Sequence, residues 1–302
     1  MSRENKAPDK RRVVLSVALA VVLVALLCIA GLIPEAAPLP ESQPSATTSA
    51  PVLPEPSSQA PTQPSTVLPT QPPTEATAQP PAAAPKKLVV IDAGHQAKAN
   101  YDKEPVGPGA AELKTKVSSG TQGVVTRLEE YRLNLMVAEK LQHILEERGY
   151  ETVMIRTTHD VNISNAERAQ VANELGADAF IRIHANGADD PKTNGILTIC
   201  QTKNNPYNSD LHEASFLLSE KVLDEMAEAT GAKRLYVWET DTMSGINWCQ
   251  VPVTIVEMGF MSNEAEDRNM ATDAYQELLA QGIANGIDDY FKLTQEALDT
   301  NA

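Results

Sequence analysis

The chain has 302 residues and a formal net charge of −15, and three compositions succeed one another along it: basic then apolar, proline-rich, and globular. Residues 86–302 hold 20 Lys and Arg against 34 Asp and Glu, a charge of −14, the wrong sign for a phosphate backbone, which removes nucleic acid from the expected partners. Only this last block has the apolar content to bury a core.

Residues 1–12 form a basic cytoplasmic tail carrying Arg3, Lys6, Lys10, Arg11 and Arg12. Residues 13–33 (VVLSVALAVVLVALLCIAGLI) contain no charge and are long enough to cross ~30 Å of hydrocarbon at ~1.5 Å per residue. They read as a transmembrane anchor or a signal sequence, and the basic flank sends the rest of the chain outward in either case. An ordinary secretory apolar region is shorter, which favours a retained single-pass anchor in the cell membrane, with secretion after cleavage as the alternative.

Residues 34–85 hold 15 of the 21 prolines among Ala, Ser, Thr and Gln, a composition that cannot bury a core and reads as a disordered linker. At ~3.1 Å per residue an extended tract of this length spans on the order of 100 Å.

From Lys86 to residue 293 the pattern is that of one α/β domain, a mostly parallel or mixed twisted sheet of about six strands flanked by helices. The expected strands are 87–92 (KLVVID), 152–157 (TVMIRT), 179–184 (AFIRIH), 196–200 (ILTIC), 235–240 (LYVWET) and 253–257 (VTIVE). Leu133, Val137, Leu141, Ile144 and Leu145 share one face of a helix over 130–148, with Gly149 as its stop. Ser164 with Glu167 predicts a capping box for a helix running to Gly176. Further helices are expected over 210–230, after Asn263 with Glu266, and over 274–292, leaving 294–302 as a tail. Residues 96–129, broken by glycines, proline and serines, read as a long loop or small subdomain walling or covering a groove. Cys200 and Cys249 can form a disulfide in an oxidising compartment; two buried free thiols are the alternative.

Ligands of open α/β sheets bind beyond the carboxyl ends of the strands, and three strands here end on chemically active side chains. KLVVID breaks at Ala93-Gly94 into His95, AFIRI runs into His184, and VTIV runs into Glu257. Glu130, in the first turn of the long helix, supplies an oxygen donor, so His95, Glu130 and His184 compose an open zinc site with Glu257 left as a base. Each also has a structural reading: a turn cap, a satisfied core histidine, a helix-dipole partner, or, for Glu257, an ion pair with Arg156. His143, His159 and His212 fall on polar helix faces or a loop and read as solvated.

VVIDAGH, EYRLNL, AFIRIHAN and PVTIVEMGFMSN occur in that order, and with them residues 87–292 resemble the zinc-dependent N-acetylmuramoyl-L-alanine amidases of the type-3 family. The resemblance implies one Zn²⁺ per chain on His95, Glu130 and His184, catalysis by Glu257, and bacterial peptidoglycan as the partner and substrate. It implies structural roles for Arg168 and Asn173. Ala93 and Gln96 stand where the family usually has Pro and Gly, and the segment 96–129 is longer than is common there. A zinc peptidase cutting within the stem peptide, and a noncatalytic wall-binding module on the membrane, are the competing readings.

Overall fold

The computed structural model describes residues 86–301. The expected anchor at 13–33 and linker at 34–85 lie outside the described residues, and among those described no helix is long and apolar enough to cross a membrane.

Among the described residues eight strands and six α-helices occur in chain order: β1 Leu88–Ala93, β2 Asn100–Pro105, β3 Leu113–Val117, α1 Glu130–Glu147, β4 Glu151–Met154, α2 Asn165–Leu175, β5 Ala179–Asn186, β6 Ile196–Cys200, α3 His212–Thr230, β7 Arg234–Glu239, α4 Ser244–Asn247, β8 Val253–Phe260, α5 Glu264–Met270 and α6 Asp273–Asn301. A six-stranded sheet has the order β4-β1-β5-β8-β6-β7. The first four strands are parallel, β6 runs antiparallel to β8, and β7 is parallel to β6. The sheet is therefore mixed, as the sequence allowed.

Side chains alternate across a strand, and the two faces are covered unequally. Val89, Ile91 and Ala93 of β1, with Ile181 and Ile183 of β5, pack against α1, α3 and α6 in the larger core. The intervening residues, among them Val90 and Phe180, pack with Ile199 and Ile255 against the short helices α2 and α4. Asp92, Arg182, His184 and Glu257 share this second face by the same alternation, and its thinner cover leaves the carboxyl end of the sheet open. On the thicker side, a Cβ added at Gly286 would lie 2.4 Å from the Val222 Cα. Glycine there lets α6 approach the α3 backbone, and a larger side chain would overpack the interface at a cost of ~1–3 kcal/mol.

The helix signals were local and mostly held. Ser164 and Glu167 make the reciprocal capping box, and the Gly176 cap is left-handed. Asn263 caps α5, but Glu266 does not reach back to it; its carboxylate takes the Phe260 and Gly195 amides instead. α6 continues through Asn301, so residues 294–301 are its last turns rather than a separate tail.

Segment 96–129 is built rather than a bare loop. β2 and β3 form a two-stranded antiparallel hairpin, and Glu104 on β2, 6 % exposed, accepts from the Ala166 amide and the Ser244 hydroxyl. Trp248 and Asn247 donate to the Pro105 and Val106 carbonyls. Further along, Asp267 of α5 accepts from the Val125 and Thr126 amides and the Thr126 hydroxyl. The segment is pinned at both ends.

Cys200 and Cys249 do not pair: both are free and buried. Cys200 lies toward Ser219 of α3, whereas Cys249 packs in the core of the opposite face, so the sheet separates them. Burial pushes each thiol up to about 12, which leaves them protonated and unreactive.

Candidate metal centre and active site

His95 comes after β1 and Gly94, His184 lies within β5, and Glu257 stands opposite His184 in the β5–β8 register. Glu130 opens α1 and is 2 % exposed. The sequence-predicted donors converge closely. His95 Nε2 is 3.0 Å and His184 Nδ1 is 3.2 Å from Glu130 Oε1, and the two nitrogens are 3.1 Å apart. Donors bonded at ~2.0–2.2 Å to one tetrahedral ion lie ~3.3–3.6 Å from each other, so this triangle fits a small divalent ion after a shift of a few tenths of an ångström. Among the described residues it is the one group of His, Cys, Asp and Glu that could hold a metal.

The surroundings fix which lone pairs face inward. His95 Nδ1 lies 2.9 Å from the Ser118 carbonyl oxygen; a carbonyl only accepts, so Nδ1 carries the proton and Nε2 presents its lone pair to the cluster. The His95 backbone has φ 59°, a left-handed conformation uncommon outside glycine, and Arg168 holds its carbonyl at 3.1 Å. Glycine at 94 makes room for the second imidazole, because a Cβ there would fall 2.3 Å from the His184 ring. Glu130 Oε2 accepts from the Thr121 amide at 2.7 Å, and Oε1 accepts from the Ala185 amide at 3.1 Å and Asn134 Nδ2 at 3.3 Å. Burial by itself raises the Glu130 pKa, but the contacts with the His184 and His95 rings, which gain when the proton sits on a ring rather than on the carboxyl, outweigh it and hold the carboxyl well below its usual range. Burial drives His184 down to about 4, so its imidazole is neutral at neutral pH, the form that binds metals.

Glu257 is the opposite case. Burial first, then the charge of Glu130, raise its pKa well above the carboxylate range, and its Oε2 is buried without a hydrogen-bond partner. Arg156, the structural partner considered for it, donates to the carbonyls of Ala93, Gly94 and Tyr131 and ties the end of β1 to the start of α1. Of the remaining histidines only His143 is solvated as expected; His212 sits 2.6 Å from Glu239, and His159 has a buried Nδ1 without a partner.

Two cavities, of about 400 and about 500 Å³, meet over the cluster, and His95, Ser118, His184 and Glu257 line both. The hairpin segment contributes Lys114 and Thr115 to the first and Gly120 and Thr121 to the second, so it walls the groove. Sequence reasoning missed Ser118, Thr121 and Ala185, whose closest contacts to the cluster are made by backbone groups that leave no side-chain signal, although the Ser118 hydroxyl also lies 3.3 Å from His95 Nδ1. It also passed over Arg182, although a cation inside AFIRIH carried the same signal as the acid after VTIV.

A family model described as N-acetylmuramoyl-L-alanine amidase matches residues 89–289. The chain belongs to that amidase family. It is similar to the N-acetylmuramoyl-L-alanine amidase AmiA of Salmonella typhimurium, 25 % identical over 245 residues that cover 68 % of this chain and 76 % of that protein. Its fold is similar to the catalytic domain of CwlV, an N-acetylmuramoyl-L-alanine amidase from Bacillus (Paenibacillus) polymyxa var. colistinus (TM-score 0.56, 28 % identity, 68 % of this chain and 98 % of that one). Ami1 from Mycobacterium abscessus shares the fold at TM-score 0.62 and 24 % identity, over 68 % of this chain and 98 % of that one. Within this amidase domain Gln96 has a specific job: its Oε1 accepts from Arg168 Nη2 and the Ile163 amide, both at 3.1 Å. Arg168, fully buried, also pairs with Asp92, and Asn173 bonds the Trp248 carbonyl and the Gln250 amide, both structural contacts.

Proposed function

We propose that the domain hydrolyses the amide between the N-acetylmuramoyl group and the L-alanine of the stem peptide in peptidoglycan, with one zinc ion held by His95 Nε2, Glu130 Oε1 and His184 Nδ1. The observation that carries this reading is the meeting of three ligand atoms, 3.0–3.2 Å apart, beside a buried carboxyl oxygen without a partner. Zinc bound there supplies an acidified water and polarises the substrate carbonyl.

The chain's own residues do the rest. Glu257 is the general base: it accepts the proton of the attacking water and passes it to the departing amine, and its raised pKa suits both transfers. The Ser118 carbonyl keeps the His95 proton on Nδ1, while the Thr121 and Ala185 amides keep Glu130 ionised and aimed. The two cavities leave room for substrate on either side of the reacting amide. Residues 13–33 anchor the chain in the cell membrane with the domain outside, and the linker 34–85 carries it to the wall; composition and charge order support this part of the reading.

The test is to purify the full chain, measure bound zinc, and digest peptidoglycan beside the Glu257→Gln variant, identifying products by mass. Free lactyl carboxyl groups with intact stem peptides, released by the unmutated chain alone, are expected. Shortened stem peptides would instead make it a peptidase. Neither metal nor cleavage after zinc is added would leave a noncatalytic module.

A further inference from the structure

The cavity on the hairpin side of the cluster contains two cations that the reaction does not use, Arg182 and Lys114. Its lining includes no carboxylate except Glu257, although the domain as a whole is acidic. Arg182 is 2 % exposed and rigidly held: Nε donates to Asp92 at 3.0 Å and Nη2 to Asn165 at 2.8 Å. Nη1 lies against Gly245, with no hydrogen bond to the described residues. Asp92 is shared with Arg168, so this buried group of three keeps a net positive charge. The other nearby acid, Glu104 behind Ser244, is taken up by the Ala166 amide and the Ser244 hydroxyl. Lys114, on β3, is 3.0 Å from the exposed Glu112, a weak surface pair that leaves it able to turn to a ligand.

The spacing gives the ligand's chemistry. Arg182 precedes His184 by two residues on the same strand face, a rise of ~6.6 Å. In an extended peptide the α-carboxyl of the residue after the new amino-terminal alanine lies ~6 Å from the nitrogen of the cut amide, given ~3.8 Å between successive Cα atoms. Ile255, in register with Arg182, and Ile199 beside it form an apolar floor for the intervening chain.

We infer that Arg182, with Lys114 at the rim, binds a carboxylate carried by the second residue of the stem peptide. The ligand this requires is a second residue joined onward through its side chain, as a γ-linked glutamate would be, and the enzyme selects stems in which its α-carboxylate is free over stems in which it is amidated. This rests on the amidase reading. A carboxamide keeps the shape but loses the charge-assisted hydrogen bonds, a difference of ~10–100-fold in kcat/KM.

The experiment uses the full chain and two soluble N-acetylmuramoyl tripeptides that differ only in a carboxylate or carboxamide at that position. The acid should be cut with the higher kcat/KM by that factor, Lys114→Gln should lower the preference a few-fold, and Arg182→Gln, checked for zinc content and far-UV spectrum, should bring it near one. Equal kcat/KM on the two substrates, or an unchanged preference in folded Arg182→Gln, overturns the inference. If Arg182→Gln does not fold, Lys114→Glu answers the same question, since reversing the rim charge should cut the preference by more than Lys114→Gln does; no change overturns it. If neither substrate is cut, the amidase reading fails, and titration of L-alanyl-D-glutamate and its α-amide into the chain decides the pocket separately: tighter binding of the acid supports it, equal binding overturns it.

Discussion

Asp92, fully buried, and Glu257, which borders the cavities but has one oxygen buried, lie on the same face of the sheet, one on each side of β5, yet their surroundings have opposite effects. Asp92 is fully buried with both oxygens taken, one by Arg168 and one by Arg182. Burial raises its pKa, but the two guanidinium charges outweigh this and hold it well below the carboxylate range. Among the described residues Glu257 has no cation partner, one of its oxygens is unbonded, and burial together with Glu130 moves its pKa the other way. A buried acid with two guanidinium partners holds strands together, whereas one without a partner is available for proton transfer.

That contrast can be broken from either end. Glu257→Gln is expected to lower wall hydrolysis by ~10²–10⁴-fold, the usual worth of a general base, with zinc content and urea midpoint essentially unchanged. Asp92→Asn should do the reverse: it leaves two guanidinium groups without their anion, at a cost of ~3–5 kcal/mol in urea unfolding. Wild-type stability in Asp92→Asn would mean that the arginines find other partners.

A smaller effect comes from pH. His184 falls from 6.5 in the unfolded chain to about 4 in the folded one because burial disfavours its charge. Between those values the unfolded state binds more protons, so the metal-free protein should lose up to ~3 kcal/mol from this group as pH drops from 6.5 to 4, at 1.36 kcal/mol per unit. Chemical unfolding at a series of pH values in chelator checks it, and replacing His184 should flatten that slope. Asn134→Ala removes a hydrogen bond to Glu130 and one to the Gly94 carbonyl; zinc affinity should fall by ~10-fold, measured by competition with a chromogenic chelator. Smallest of all, a reducing agent should leave the melting temperature where it was, because Cys200 and Cys249 are unbonded.

Much of the fold was readable because its signals are local. The six sheet strands fell within a few residues of their expected bounds, and the Ser164–Glu167 box and the apolar stripe of α1 depend only on near neighbours. The hairpin was not readable: NYDKEP and LKTKV carry little apolar alternation, and the hairpin is secured by contacts with distant segments, Ala166 and Ser244 donating to Glu104 and Trp248 and Asn247 donating to the Pro105 and Val106 carbonyls. The end of α6 was missed for a related reason. Leu298 is 65 % exposed, so no buried stripe marks the last turns, and the helix continues because nothing in QEALDTN breaks it. The four chemical residues were legible as strand-end and helix-start polar groups, but their neighbours Ser118, Thr121 and Ala185 contribute backbone atoms that any residue carries.

By itself the sequence determined the order and kind of the main elements, the succession of apolar, proline-rich and globular compositions, and the candidates His95, Glu130, His184 and Glu257. Each rests on spacing and composition along a few successive residues. Only the tertiary structure decided that atoms 54 and 89 positions apart in the chain meet within 3.2 Å, that Asp92 is paired while Glu257 is not, and that the two thiols stay on separate faces. Those outcomes depend on sheet order and register, which arise from packing among distant segments and leave no mark in any one of them.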